Sequence, residues 1–183
     1  MKFLIALLCV AGFAVAAEQS KTPTLSGIFD SQLSTVEKEV ISLAEAMPAE
    51  KYDFAPTSGE FKGVRTFGVQ LKHLAATNYG VAATLLGGKP VAEIGADENG
   101  PANVKSKEEI LAYVRESFAQ LHKGYALLTG DNYTELVASG FGGDKKVPRG
   151  AMANIPLWHC FDHYGQMVVY ARMNGIVPPA SRQ

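Results

Sequence analysis

The chain has 183 residues, 47% of them hydrophobic and 19% charged, and its 17 basic and 18 acidic side chains leave a formal net charge of −1. That length suits a single ordinary domain, and the apolar fraction supplies a core, which argues against a disordered chain. Near-balanced charge with no basic run or stripe argues against nucleic acid as a partner.

Met1-Lys2, the apolar run from Phe3 to Val15 and the small-x-small pattern Ala14-Val15-Ala16 predict a cleaved signal peptide over residues 1–17. The run is shorter than the about 20 apolar residues that span a bilayer, so no stable membrane insertion is expected after cleavage. The mature chain, residues 18–183, is then a single exported domain, periplasmic or secreted. Cys9 leaves with the leader and only Cys160 remains, so no intramolecular disulfide can form. Stability must come from the core, a ligand or oligomerisation.

Four helices follow. Leu25, Ile28, Phe29, Leu33, Val36, Val40, Leu43 and Ala44 recur at helical spacing and predict a first helix over about 25–47, ended by Pro48. Tyr52, Phe54 and Pro56 mark an extended, anchored connection. Thr66 is a predicted N-cap for a second helix reaching Leu86, with Phe67, Leu71, Leu74, Ala75, Asn78, Ala82 and Leu85 near one face and Gly87-Gly88 as the stop. A long loop rich in Gly, Pro, Asn and Asp covers 89–105. Ser106 with Glu109 forms a capping box for the third helix, expected to end near Gly130. A second glycine-rich loop spans 131–150. The fourth helix covers about 151–173 and either starts near Pro156 or bends there. Asn174-Gly175 caps it. The predicted fold is all-α, a four-helix bundle with long loops between helices 2 and 3 and between helices 3 and 4.

The histidines carry the most chemistry. His159 and His163 are four apart in a helical segment, so both imidazoles sit on one face, one turn apart. His73 lies in another helix among Leu71, Leu74 and Ala75. If helices 2 and 4 adjoin, three neutral imidazoles converge in the bundle core, where such sites are built. Three histidines suit zinc or nickel best, with manganese or iron as alternatives, and leave positions open for water or substrate. The competing reading is ordinary, partly buried histidines. His122, beside Leu121 and Lys123, is expected at the bundle edge, outside any ligand set.

His159-Cys160-Phe161-Asp162-His163-Tyr164-Gly165-Gln166 resembles the fourth-helix signature of the DinB-like superfamily, and Leu71-Lys72-His73-Leu74 resembles its second-helix motif. The segment from Met47 through Pro56 to Phe67 is similar to the family's connection between helices 1 and 2. The resemblance covers the mature chain in order. It implies a four-helix bundle, often dimeric, with one divalent metal held by His73, His159 and His163. It implies no single reaction, since relatives include thiol-cofactor transferases and thiol-dependent isomerases. Tyr164 stands where many members have Arg. Export also weakens the thiol reading, because such cofactors are used mainly in the reducing cytoplasm.

Near the histidines, Asp162 could orient an imidazole or act as a base, with a solvated helix residue as the alternative. Gln166 is expected to line the cavity and Tyr170 to be a core aromatic. Asn78 and Tyr79 could play either role, and Cys160 reads as a small buried residue. His159 is followed by Cys160, not Glu, which excludes the zinc-protease helix motif; Gly140-Phe141-Gly142-Gly143 lacks the Lys-Ser/Thr ending of a phosphate loop. The expected function is a metal-dependent hydrolase or group transferase acting on a small molecule. The alternatives are a non-catalytic metal- or ligand-binding module and an interaction protein.

Overall fold

The computed structural model describes residues 22–139 and 145–182. The expected leader and the Gly140-Phe141-Gly142-Gly143 run lie outside the described residues. Among the described residues no helix is long and apolar enough to cross a membrane.

The elements run α1 Leu25–Ala46, α2 Phe67–Leu86, α3 Lys107–Tyr125, β1 Leu136–Ala138, β2 Lys146–Pro148 and α4 Arg149–Met173, with single 3₁₀ turns at Ala49–Lys51 and Pro179–Ser181. The caps expected at Thr66 and at Ser106 with Glu109 form, and Thr24, not singled out in the sequence, caps the first helix. The side chains of Thr24 and Thr66 accept from the backbone N–H of Gly27 and Val69, and Ser106 with Glu109 closes a full capping box. Each satisfies amides that the first helical turn leaves unpaired.

Both α1 and α2 pack against α3 and α4, so α1 lies diagonally across the bundle from α2, and α3 diagonally from α4. The connection from α1 to α2 is anchored by Tyr52, whose hydroxyl donates to the Ala44 carbonyl (2.8 Å) and whose own carbonyl accepts from Gly68 N–H (2.8 Å). Leu33, Val40, Phe67, Leu71, Leu74, Val114, Phe118, Leu121, Cys160 and Met167 fill the centre with no exposed surface. Burying one such large apolar side chain stabilises the fold by about 1.5–3 kcal/mol.

Three expectations need correction, and one open alternative is decided. The loop after α3 carries a short antiparallel hairpin, with Val137 opposite Val147, in place of irregular coil. The third helix stops at Tyr125, short of Gly130, because the Asn132 amide takes over the chain: its Nδ2 donates to the Leu127 carbonyl (2.8 Å) and its Oδ1 accepts from Thr129 N–H (3.0 Å). The fourth helix spans Arg149–Met173, close to the expected 151–173, and of the two alternatives a start near Pro156 does not hold. It starts at Arg149, where the Arg149 and Gly150 amides are anchored on the Glu135 and Tyr133 carbonyls (2.8 Å each), and it passes through Pro156 at the loss of a single intrahelical bond. Finally, α2 is buried on nearly its whole circumference, not on one face.

That last difference matters for the site. The stretch 90–104 folds back over the side of α2 that the other helices leave bare. Lys72 Nζ donates to the Pro101 carbonyl (3.0 Å), and the Tyr113 hydroxyl holds the Glu93 carbonyl (2.8 Å). Gly95 and Gly100 make the close approach possible. Both have positive φ (+78° and +75°), and a Cβ on Gly100 would lie 2.8 Å from Lys72 Cβ.

Candidate metal centre

The packing of α2 on α4 brings His73, His159 and His163 together. Their ring centroids lie 5.0 Å (His73 to His159), 4.7 Å (His73 to His163) and 4.6 Å (His159 to His163) apart. One ring nitrogen from each falls within 4.8 Å of the other two. His73 and His163 are buried, and His159 is half-buried.

Hydrogen bonds behind the rings determine which nitrogen faces inward. His73 Nδ1 lies 2.6 Å from the Glu98 carbonyl oxygen, which can only accept, so Nδ1 carries the proton and Nε2 is left with a bare lone pair. Glu98 is the one described non-glycine residue with positive φ (61°). The loop holds that costly conformation, worth roughly 1–2 kcal/mol, where its carbonyl meets His73. His163 Nδ1 lies 2.5 Å from Gln70 Oε1. Gln70 Nε2 in turn donates to Gln166 Oε1 (2.8 Å), and Gln166 Nε2 donates to Asp162 Oδ2 (3.2 Å). His159 has no such support: its Nδ1 is buried without a partner, while its Nε2 sits 3.2 Å from His73 Nε2.

The imidazoles are also poor bases. Burial, then the neighbouring His163 and His73, push His159 down to about 4. Burial, then His73 and Arg65, push His163 down to about 4. Burial lowers His73 as well, partly opposed by its bond to the Glu98 carbonyl. All three are neutral near pH 7, the state in which an imidazole can donate a lone pair to a metal. Inward lone pairs on His73 and His163, a neutral third ring and carbonyl or amide acceptors behind two of them form a donor set that can hold one metal ion.

Arg65 borders the same site and its positive charge lowers all three histidines. Its Nε donates to Asn99 Oδ1 (2.6 Å), and Asn99 Nδ2 donates to Asp97 Oδ2 (2.8 Å). Arg65 forms no direct ion pair among the described residues. A cavity of about 340 Å³ is lined by Gly63, Val64, Arg65, Gln70, Asn99 and Gln166.

The other residues singled out in the sequence fall as follows. His122 is remote from the triad and ties α3 to α1, with Nδ1 2.5 Å from Asp30 and Nε2 3.1 Å from Glu37. Asp162 is exposed and touches no imidazole; its partner is Gln166, which does line the cavity. Tyr170 is a core aromatic whose hydroxyl donates to the Arg65 carbonyl (3.1 Å). Asn78 and Tyr79 are buried in the α2–α3 contact, Asn78 on Ser117 Oγ (3.2 Å) and Tyr79 on the Tyr113 carbonyl (3.2 Å). Cys160 is fully buried and its thiol is pushed up to about 12 by burial, which keeps it a thiol. Tyr164 reaches Glu39 on α1 (3.0 Å). Sequence reasoning missed Gln70, Arg65 and the Glu98 carbonyl. Gln70 left a signal: a lone amide within the largely apolar stretch Phe67–Ala76, one helical turn before His73.

A family model described as the DinB superfamily matches residues 32–167. The crystal structure of a DinB-like protein from Bacillus cereus ATCC 10987 is similar in fold, with a TM-score of 0.65 and 17% identity, the match covering 86% of this chain and 97% of that one. No curated protein matches the chain.

Proposed function

The chain belongs to the DinB superfamily, and on that premise we propose that it is an exported metal-dependent enzyme that binds one divalent ion through His73, His159 and His163 and acts on a small molecule as a hydrolase or group transferase. The observation that carries this reading is the convergence of three neutral imidazoles with no fourth histidine, cysteine or carboxylate ligand among the described residues. Three protein ligands are the pattern of a catalytic site with an open position, whereas structural zinc sites close with four. When bound there, a late divalent ion such as zinc or nickel would supply Lewis acidity toward a substrate oxygen or sulfur.

The chain's own residues would do the rest. His73 and His163 present lone pairs fixed by Glu98 and Gln70. Arg65, held through Asn99, gives the adjoining cavity a fixed positive charge, which favours substrates carrying an anionic group. Gln70 and Gln166 line the same cavity. The second reading, a non-catalytic metal-binding module, draws support from the burial of His73 and His163 (7% and 6% exposed), which restricts access to the ion.

Metal content by plasma mass spectrometry on the untagged mature protein tests the first half of the proposal. Near-stoichiometric zinc or nickel, lost in both His73→Ala and His163→Ala, is expected; a metal-free wild type after incubation with zinc, nickel, manganese and iron sinks it. The cobalt-substituted protein then separates the two readings. Its visible spectrum should change on titration with azide if a coordination position is open, and stay constant if the sphere is closed.

A further inference from the structure

Asp162, Gln166, Gln70 and His163 form one unbroken chain of hydrogen bonds: Gln166 Nε2 to Asp162 Oδ2 at 3.2 Å, Gln70 Nε2 to Gln166 Oε1 at 2.8 Å, and His163 Nδ1 to Gln70 Oε1 at 2.5 Å. A primary amide has a donor end and an acceptor end, so a chain of two amides has a direction. The direction here is imposed from the outer end. An ionised carboxylate can only accept, so Gln166 must turn its NH₂ group toward Asp162 and its oxygen toward Gln70. Gln70 must then turn its own NH₂ outward and its oxygen toward His163. The one remaining arrangement of His163 has the proton on Nδ1 and a bare lone pair on Nε2, the nitrogen left free to act as a ligand.

We propose that Asp162 is a positioning residue for the metal centre: through Gln166 and Gln70 it selects the His163 tautomer that can act as a ligand. It does so from the surface, without touching an imidazole. The residues are arranged for this in sequence as well as in space. Asp162 and Gln166 are one turn apart on α4, and Gln70 and His73 are one turn apart on α2, so the relay crosses the same helix–helix contact as the site it serves. His73 reaches the same tautomer through the Glu98 carbonyl and needs no relay; His159 has no partner on Nδ1 and receives no such instruction.

Reversing the outer end should reverse the chain. In Asp162→Lys the ammonium can only donate, so both amides turn over, Gln70 presents its NH₂ group to His163 Nδ1, and the His163 proton moves to Nε2. The relay rests on the metal reading only for its consequence, and the test is built in two arms to keep them apart. The first arm is nitrogen NMR of ¹⁵N-histidine-labelled, metal-free protein near neutral pH. Wild type should show His163 protonated on Nδ1, and Asp162→Lys should show it protonated on Nε2. In a Gln166→Leu background, which cuts the relay but leaves residue 162 in place, Asp162→Lys should leave the tautomer unchanged. The second arm is zinc affinity by competition with a chromophoric chelator. Asp162→Lys should weaken binding about 10- to 100-fold, the usual effect of losing an outer-sphere partner, and should do so far less when Gln166 is already Leu.

A wild-type His163 protonated on Nε2, or a tautomer that ignores Asp162→Lys, overturns the relay. Equal losses of zinc affinity in both backgrounds would mean that Asp162 acts by its charge through space, which also overturns it. A wild type that binds no zinc defeats the metal reading of the preceding section, while the NMR arm still decides the relay.

Discussion

His73 and His159 are 86 residues apart in the chain, yet their Nε2 atoms stand 3.2 Å apart across the α2–α4 contact. Burial first, then the closeness of the rings and the Arg65 charge, depresses the basicity of the cluster. The fold therefore spends stability on keeping three polar rings together.

Acid should unfold the metal-free protein early. His159 and His163 are held at about 4 in the folded state against 6.5 in the unfolded chain. Between those values the unfolded chain takes up protons that the folded one refuses. Stability is full above about pH 6.5 and falls as pH drops toward 4, by up to about 1.4 kcal/mol per pH unit for each such histidine. Urea denaturation at pH 7 and pH 5 should show this, and His163→Asn should flatten the difference. An unchanged pH dependence in that variant would refute the assignment.

His122 should behave in the opposite sense. Burial lowers it, but its bonds to Asp30 and Glu37 outweigh burial and raise it above 6.5. Its contribution is complete below the unfolded value and is lost as pH rises through the higher folded value. His122→Ala should cost about 1 kcal/mol at pH 6, a modest figure because Asp30 is half exposed, and progressively less above neutrality. In a domain of this size that is a drop of about 2–4 °C in Tm at pH 6. A penalty that grows with pH would contradict the ion-pair reading.

Metal should stabilise the fold. Free zinc at about 100 times its Kd should add about 2.7 kcal/mol, roughly 5–10 °C in Tm. Differential scanning fluorimetry with zinc and with a chelator reads the shift directly, and His73→Ala should abolish it.

The loop over α2 should be intolerant at Gly100. An added methyl group there meets Lys72 Cβ at 2.8 Å and must adopt a φ of +75°. Gly100→Ala should destabilise by about 2 kcal/mol or more and weaken zinc binding by moving the Glu98 carbonyl off His73. Gly130→Ala, where a Cβ meets nothing within 4 Å, is the control and should be close to neutral. Equal effects at the two positions would show that the loop is not held as described.

Much of this protein was legible in one dimension. The helix starts at Thr66 and Ser106 depend on local hydrogen bonds between neighbours in sequence. The pairing of His159 with His163 needs nothing beyond the pitch of one helix. Those features are local, so the sequence by itself determined them, along with an all-helical core. The rest was decided by tertiary packing. Which loop would cover α2 depends on glycines that permit backbone contact at long range, and the choice of Glu98 as the acceptor for His73 follows from that covering. Gln70 and Gln166 became a relay only when α2 met α4, since an amide's orientation is set by partners on both sides. Pro156 sits inside α4 because contacts at Glu135 and Tyr133 hold the turn before it. Periodicity and capping are properties of a segment, whereas hydrogen-bond direction and proton position belong to groups that only folding brings together.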